Sequence, residues 1–484
     1  QLKFKKRGFV SNHTEGSKSM TQKYRYPTFL ESISTILVMV VVVVIGFVFF
    51  NIPIQILLLI SSAYAAFIAH RVGLKWKDLE EGITHRLSTA MPAIFIILAV
   101  GIIVGSWMYS GTVPALIYYG LKFLNPSYLL VSAFIISAMT SIATGTAWGS
   151  ASTAGIALIS IANQLGVPAG MAAGAIIAGA VFGDKMSPLS DTTNLAALVT
   201  KVNIFAHIKS MMWTTIPASI IGLAIWFIVG LQFKGDANTQ QIQNLLKELT
   251  TIYNLNFWVW IPLIIIILCL IFRISTVPSM LISSISALVI GTFDHQFNMK
   301  DGFKASFDGF NHTMLHQSHI SDNAKTLIEQ GGMMSMTQII VTIFCGYAFA
   351  GIVEKAGCLD VILETIAKGV KSVGTLILIT VVCSIMLVFA AGVASIVIIM
   401  VGVLMKDMFE KMNVSKSVLS RTLEDSSTMV LPLIPWGTSG IYYAHQLNVS
   451  VDQFFIWAIP CYLCAFIAII YGFTGIGIKK ISRK

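Results

Sequence analysis

An acidic stretch, residues 181–197, lies between long apolar segments of the chain. It reads VFGDKMSPLSDTTNLAA and carries the carboxylates Asp184 and Asp191. A charged side chain at membrane depth costs about 2.5 to 3.5 kcal/mol on insertion scales, so it is retained where it faces a cavity and handles an ion or a substrate. Pro188 removes a backbone donor and breaks the helix that contains it, which frees carbonyl groups beside these acids. This composition is typical of a cation site in a broken helix.

Hydroxyl and amide groups complete this candidate site. A hard cation is held by carboxylate, hydroxyl and carbonyl oxygens. Asp191 is the first choice for a Na+ ligand because oxygen-bearing side chains flank it, namely Ser190, Thr192, Thr193 and Asn194. Two alternatives stay open: Asp191 could act only as a helix cap, and Asp184 with Lys185 could mark a helix end near the cytoplasm.

A second stretch, residues 420–440, repeats these features. It reads SRTLEDSSTMVLPLIPWGTSG and offers two acids, two candidate hydroxyl ligands and two helix-breaking prolines, namely Glu424, Asp425, Ser426, Thr438, Pro432 and Pro435. Pro188 and Pro435 are 247 residues apart, which indicates one element used twice. Arg421 and Glu424 have i, i+3 spacing, so an ion pair between them would leave Asp425 as the free acid of this half.

A third stretch, residues 140–155, is dense in glycine, serine and threonine, and reads TSIATGTAWGSASTAG. One interpretation is close helix packing through small residues, which membrane interiors favour. The other is an unwound segment in which Gly145 and Gly149 interrupt a helix and Thr144, Thr146 and Ser150 offer oxygens to an ion. The sequence leaves both open.

Composition places the whole chain in a membrane. Of its 484 residues 56% are hydrophobic and 11% charged, and the mean hydropathy is +0.80, far above the soluble range. Runs such as 34–50 and 257–272 are long enough to cross a bilayer. The fold class is therefore an all-α polytopic membrane protein with roughly 12 to 14 membrane segments, including broken helices and re-entrant hairpins. Since the net charge of +10 sits in tails and short loops, we expect no nucleic-acid partner.

The distribution of Lys and Arg predicts the arrangement of the segments. It divides the chain into a cytoplasmic N-terminal tail (1–28), a first repeat (29–231), an external linker (232–256), a second repeat (257–478) and a cytoplasmic C-terminal tail (479–484). Each repeat has an odd number of crossings, so the two form inverted-topology repeats whose site lies near the midplane. Met20 is the expected native start, with residues 1–19 as upstream sequence, which N-terminal sequencing of the native protein tests.

Four sequence motifs resemble those of a known protein family. GDKMSPLSDTTN at 183–194, SRTLED at 420–425, PLIPW at 432–436 and GTAWGSAS at 145–152 resemble the NhaC family of Na+/H+ antiporters in the ion transporter superfamily, over essentially the whole chain after Met20. The resemblance implies secondary active transport in a bacterial cell membrane, without a cofactor. The expected partners are Na+, H+ and the lipid bilayer, with small organic acids and a second copy of the chain in a homodimer as further candidates.

Each alternative function requires particular residues or motifs. A malate/lactate-type exchanger coupled to Na+ and H+ is the nearest alternative, and would use cationic groups such as Lys185 and Arg421 toward an organic acid. An intramembrane aspartyl protease would need YD and GxGD motifs, yet Val181 stands where the first glycine belongs and no YD occurs. A P-loop pump motif is also missing. We therefore predict a transporter and not an enzyme.

Overall fold

The computed structural model of this chain describes residues 25–50, 52–188, 190–233, 239–272, 274–315, 331–367 and 369–481, together with 320–321, 324–325 and 328–329. These residues form helices and no β-strand, apart from a single bridge between Val414 and Lys480. The proposed start at Met20, most of the N-terminal tail and residues 482–484 lie outside the described residues.

The first half of the chain, up to residue 230, contains ten α-helices in the described ranges. They are α1 (Phe29–Val44), α2 (Ile54–Arg71), α3 (Trp76–Tyr109), α4 (Thr112–Phe123), α5 (Leu129–Thr144), α6 (Ala147–Ser150), α7 (Ile156–Gln164), α8 (Ala169–Met186), α9 (Asp191–Thr200) and α10 (Ile204–Gly230). A π-helical turn, Ala151–Gly155, joins α6 to α7.

The remaining described residues form a second set of helices. They are α11 (Thr239–Ile252), α12 (Ile261–Ile271), α13 (Thr276–Phe293), α14 (Met299–Asp308), α15 (Thr337–Lys355), α16 (Cys358–Ala367), α17 (Val373–Ala391), α18 (Ala394–Lys411), α19 (Lys416–Ser426), α20 (Thr438–Gln446), α21 (Val451–Phe454) and α22 (Ile459–Thr474). The predicted external linker is not only loop, because α11 lies within it and buries Leu245, Leu249 and Ile252.

Several helices have the length and composition of membrane spans. Among the described residues five qualify, namely α2, α8, α10, α17 and the span that contains α15, and the number rises to seven when two bent pairs are counted. One bent pair is α3, which turns by 41° near its middle, and the other joins α4 to α5 at 105°. Shorter apolar helices, α1, α12, α13 and α22, accompany them. The prediction of an all-α polytopic membrane protein with broken helices is confirmed.

The two halves repeat their helix boundaries at a constant offset. The residue that follows α5, Gly145, has φ of 69°, and the residue that follows α17, Gly392, has φ of 67° and lies 247 positions later. The first residues of α6, α8, α9 and α10 precede those of α18, α19, α20 and α21 by the same 247 positions. The element that the sequence shows twice is therefore duplicated in three dimensions. The opposite orientation of the halves in the membrane stays a prediction.

Gly392 provides a test of the left-handed backbone turn that follows α17. An added Cβ would meet only ordinary contacts, the nearest at 3.5 Å, but φ of 67° is the left-handed region that other residues adopt at a cost. We expect Gly392→Ala to lower the free energy of unfolding by about 1 to 2 kcal/mol, measured by thermal unfolding of the purified protein in detergent. Gly346→Ala is the control, because Gly346 lies inside α15 and its nearest neighbour would be 3.8 Å away. Equal stability of the two variants would contradict the prediction.

Close packing holds the end of α8 in the interior. Gly179 and Gly183 lie one turn apart on α8, directly against the backbone of α5 at Phe134 and Ala138. Small residues at such a crossing let two backbones approach in a membrane, where packing drives helix association. Since any side chain at Gly183 would collide with the α5 backbone, the next two residues of α8 are fixed in position.

Candidate functional site: a buried charged cluster at two helix breaks

Each half of the molecule has one broken helix beside charged residues. α8 ends at Met186 and α9 begins at Asp191, with Pro188 in the break. α19 ends at Ser426 and α20 begins at Thr438, with Pro432 and Pro435 in the break. In both cases two charged side chains occupy the last three residues before the break, Asp184 and Lys185 in α8 and Glu424 and Asp425 in α19.

A buried ion pair joins the two halves. Lys185 Nζ donates a hydrogen bond to Asp425 Oδ1, and Thr214 Oγ1 of α10 donates to the same oxygen at 2.9 Å. All three side chains are fully buried. The interior ammonium and carboxylate thus compensate each other, as buried charges require. Sequence reasoning missed this pair, whose only signal was a cation in one motif and an acid in the other, 240 residues apart.

The expected ion pair between Arg421 and Glu424 is wrong. Arg421 Nη1 donates instead to the carbonyl of Gly477 at 3.1 Å, and neither carboxylate oxygen of Glu424 has a hydrogen bond within the part of the chain that the structure describes. Arg421 turns toward the C-terminal segment, although its spacing from Glu424 suits an ion pair. Of the two acids in this motif, Glu424 and not Asp425 is therefore the one without an ion-pair partner among the described residues.

Glu424 lies among other charges without a strong partner of its own. It is fully buried, and the charges of Asp191, Lys185 and Asp425 act on it. The Thr428 hydroxyl is close enough to interact, but it forms no well-shaped hydrogen bond to the carboxylate. An isolated buried carboxylate is strongly disfavoured unless a proton or a cation neutralises it. The position therefore suits a group that binds H+ or a metal cation in turn.

Asp184 is the second buried acid without a cation in contact among the described residues. It is 6% exposed, and the charges of Asp191 and Glu424 act on it. Thr192 Oγ1 reaches Asp184 Oδ2 at 3.5 Å, a long contact, and Thr193 Oγ1 donates to the carbonyl of Lys185 at 3.3 Å. Hydroxyl groups of α9 thus face the charged end of α8, as predicted for the stretch 181–197.

Asp191 occupies a different environment from these two acids. It is the first residue of α9, it is exposed, and its Oδ1 accepts the Thr192 N–H at 2.8 Å. Ser190 is the N-cap, and Asn194 Nδ2 donates to the carbonyls of Pro188 (2.8 Å) and Ser190 (2.6 Å). Ser190, and not Asp191, therefore caps α9, and the charge of Asp191 lies in the first turn of this helix, at the exposed edge of the buried cluster.

Ser150, Ser426 and Thr438, three of the remaining predicted oxygen ligands, bind the backbone. Their hydroxyls donate to backbone carbonyls: Ser150 to Ser137 at 2.8 Å, Ser426 to Thr422 at 2.6 Å and Thr438 to Gly392 at 3.2 Å. Thr146 caps α6 by accepting the Gly149 N–H at 3.4 Å, and Thr144 is the last residue of α5. Gly149 lies inside α6, so the interruption of the helix is at Gly145.

Aromatic contacts connect the breaks of the two halves. The rings of Trp148 in α6 and Tyr442 in α20 stack with centroids 4.7 Å apart. Tyr442 OH donates to the carbonyl of Trp148 at 2.8 Å, and Trp148 Nε1 donates to Ser439 Oγ at 3.2 Å. A change in the relative position of α6 and α20 would therefore break an aromatic stack and two hydrogen bonds.

Fold and site together define a class of protein. Ionisable groups buried at paired helix breaks, in a polytopic helical chain with a duplicated element, are the architecture of secondary transporters. Within the described residues no group of three or more His, Cys, Asp or Glu side chains gathers as a metal site, so a bound cation would need hydroxyl or carbonyl oxygens as well.

Comparison with known proteins identifies the family. Residues 179–476 match the model of the Na+/H+ antiporter family, and the chain belongs to this family. It is similar to an uncharacterized Na+/H+ antiporter of Haemophilus influenzae (36% identity, 96% of this chain and 99% of the relative). It is also similar to the Malate-2H(+)/Na(+)-lactate antiporter of Bacillus subtilis (33%, 93% and 96%) and the Na(+)/H(+) antiporter NhaC of Alkalihalophilus pseudofirmus (34%, 89% and 91%). The resemblance drawn from the motifs is confirmed.

Proposed function

We propose that this protein exchanges Na+ for H+ across the membrane through the buried acids Glu424 and Asp184. The observation that carries the proposal is Glu424, a fully buried carboxylate with no hydrogen bond to either oxygen among the described residues. Because Asp425 is neutralised by Lys185, the negative charge left in the cluster belongs to Glu424 and Asp184, with Asp191 at the edge. One proton or one cation at a time relieves this excess.

The chemistry is a competition for the same oxygens. A proton bound to Glu424 or Asp184 makes the carboxyl neutral and removes an anionic ligand, whereas Na+ needs the ionised form. Binding of one ion therefore expels the other. The Thr192 hydroxyl, 3.5 Å from Asp184 Oδ2, supplies a neutral oxygen beside this acid. Alternating access would follow if the two repeats move against each other at the contact between Trp148 and Tyr442.

A second candidate is exchange of a small organic acid coupled to Na+ and H+. Arg421 is fully buried, and its Nε and Nη2 groups lack hydrogen-bond partners in the described structure. A guanidinium with free donors is suited to bind a carboxylate in a bidentate manner. The malate/lactate antiporter among the relatives is consistent with such a substrate.

The orientation in a bacterial cell membrane is part of the proposal. Lys201 is exposed just before α10, and Lys355 is partly exposed at the end of α15, where it pairs with Glu81 at 2.9 Å. Basic residues in short loops favour the cytoplasmic side, and this supports the proposal that both termini lie in the cytoplasm. Labelling of single introduced cysteines with an impermeant reagent tests this assignment. A cysteine in α11 should react from outside the cell, and a cysteine at Lys201 should not.

Transport by the full-length protein in proteoliposomes tests the two candidates. With a pH gradient reported by a trapped dye, we expect NaCl alone to dissipate the gradient, while choline chloride and protein-free liposomes give no signal. A response that requires malate or lactate together with NaCl would favour the second candidate. No response to any of these salts would contradict both.

A further inference from the structure

One imidazole joins three parts of the molecule on the side that the sequence predicts as external. His295 follows α13 in the second half, and its side chain is 1% exposed. Its Nε2 donates to the carbonyl of Ser110 at 2.9 Å, at the corner between α3 and α4 of the first half. Its Nδ1 accepts the N–H of Asn254 at 3.3 Å, in the linker that connects the two halves. None of these groups belongs to the buried charged cluster.

Both contacts require the neutral form of His295. A backbone N–H can only donate and a carbonyl oxygen can only accept, so Nδ1 must be bare and Nε2 must carry the hydrogen. A second proton can bind only at Nδ1, where it would meet the N–H of Asn254. Protonation of the ring therefore breaks the contact with the linker and leaves the contact with Ser110 in place.

A carboxylate beside the ring can take over the protonated Nδ1. Asp294 Oδ2 lies 3.6 Å from Nδ1 and has no hydrogen-bond partner among the described residues. An imidazolium N–H and a carboxylate oxygen form a charge-assisted hydrogen bond, which is stronger than a bond between neutral groups. Nδ1 thus has one partner for each protonation state, the N–H of Asn254 for the neutral ring and Asp294 for the charged ring.

The same carboxylate also holds the end of the linker. Asn256 Nδ2 donates to Asp294 Oδ1 at 2.8 Å, and Asn254 Nδ2 donates to the Asp294 carbonyl at 2.9 Å. Tyr253 places its ring edge-on to His295, with centroids 5.5 Å apart. Rotation of the Asp294 carboxylate toward a charged His295 would weaken its bond to Asn256. One proton therefore acts on two of the hydrogen bonds that fix the linker.

Asp294 is the one charged group among the described residues that acts on His295. Tyr253 is in ring contact, whereas Tyr109 of α3 responds to Asp301 of α14. α13 has no titratable side chain. The other titratable groups of the surrounding helices do not act on the ring, namely Tyr118, Tyr119 and Lys122 on α4, Lys247 and Glu248 on α11, and Lys300, Lys304 and Asp308 on α14.

Burial sets the pH range of the change. It lowers the pKa of His295 below the ordinary value of 6.5, and the Ser110 contact and the charge of Asp294 oppose this only in part. Since the docked linker binds the neutral ring, its docking is complete above about pH 6.5 and is lost as the pH falls through the pKa of the docked state. The linker is thus fixed at neutral pH and released in acid.

We propose that His295 is a pH-sensitive latch, which holds the external linker beside the α3–α4 corner when the ring is neutral and releases it when Nδ1 gains a proton. The step is proton transfer alone: an N–H bond forms at Nδ1 as hydronium in the external phase loses its proton. Release should slow exchange, because the two halves are then no longer joined at this point. That consequence rests on the proposed function, whereas release of the linker does not.

Two substitutions reproduce the two states of the latch without titrating. His295→Asn keeps an acceptor oxygen at the position of Nδ1, so the linker should stay bound at every pH. His295→Gln keeps a donor near the position of Nε2 for Ser110 but offers no acceptor to Asn254, so the linker should stay released. Asp294→Asn removes the charge that favours the proton and should move the transition toward acid by about one pH unit.

The labelling rate of a cysteine introduced at Ile252 reports release of the linker. Ile252 is buried at the end of α11, and the six native cysteines are buried. The purified full-length protein is labelled in detergent, and each rate is divided by that of His295→Asn at the same pH, which cancels the titration of the thiol. Between about pH 8 and about pH 5 we expect the wild-type ratio to rise from unity about fivefold, as the loss of one hydrogen bond implies.

The other variants complete this experiment. His295→Gln should be labelled rapidly at both pH values. His312→Asn is the control, because His312 is another histidine of the external loop and pairs with Glu329 instead of the linker, so it should follow the wild type. A wild-type ratio that stays at unity at every pH overturns the latch. An unchanged transition in Asp294→Asn also overturns it, because the charged ring then has a different partner.

Transport separates the latch from the function on which its consequence rests. In proteoliposomes, acidification of the external side should slow exchange by the wild type about fivefold more than exchange by His295→Asn. Equal slowing of the two proteins overturns the regulatory role of His295. A wild type with no Na+-dependent signal at any pH contradicts the proposed function, and the labelling rates then still decide whether the latch exists.

Discussion

Glu424→Gln should reduce Na+-driven proton exchange about 100-fold or more, while the protein folds at least as well as the wild type. The amide keeps the shape of the side chain but can neither bind a proton as an acid nor attract a cation as an anion. Stability should hold or rise, because the substitution removes a buried carboxylate that has no hydrogen bond among the described residues. Exchange is measured with the trapped dye and stability by thermal unfolding in detergent.

The matched control for this change is Glu410→Gln. Glu410 is exposed at the end of α18 and pairs with Lys416 at 2.6 Å, so the same loss of charge should leave exchange within about twofold, as surface pairs contribute little. Asp184→Asn should resemble Glu424→Gln, whereas Asp191→Asn should have a smaller effect, because Asp191 is exposed in the first turn of α9. Near-normal exchange by Glu424→Gln would remove this acid from the mechanism.

Lys185→Met should have the largest effect on stability, a loss of about 3 to 5 kcal/mol. The substitution leaves Asp425 as an uncompensated charge in a fully buried position, where Thr214 is the one hydrogen-bond donor left to it among the described residues. Removing both charges in Lys185→Met with Asp425→Leu should recover most of the loss, because apolar side chains of similar volume pack well where a buried pair stood. The measurement is the unfolding midpoint of each purified variant, converted through a double-mutant cycle.

A surface ion pair provides the comparison for Lys185. Lys355 pairs with Glu81 at 2.9 Å, with side chains 36% and 73% exposed, so Lys355→Met should cost no more than about 1 kcal/mol. If Lys185→Met is no more destabilising than Lys355→Met, the buried pair does not hold α8 to α19.

The duplicated halves differ where the charges lie. Helix starts repeat at an offset of 247 positions, but the charged residues repeat at 240, from Asp184 to Glu424 and from Lys185 to Asp425. The difference of seven residues, about two helical turns, arises because α19 is shorter than α8 and the second break is longer. As a result both charged pairs lie at the end of their helices. Alignment on the prolines alone would have paired Asp184 with Leu431.

The sequence by itself determined the membrane class, the family and the positions of the helix breaks. Hydropathy and the motif residues act locally: Pro188 and Pro435 cannot continue a helix, and Gly145 tolerates the left-handed turn that ends α5. These properties belong to single residues and their neighbours, so they can be inferred without knowing the packing.

Only the tertiary structure decided which acid is free and which is paired. Lys185 meets Asp425 across 240 residues, Arg421 bonds Gly477 in place of Glu424, and the buried face of α10 brings His207 to Ser420. Each of these facts depends on how helices from distant parts of the chain pack together. Burial and pairing set the energy of an interior charge, and neither is encoded in local spacing.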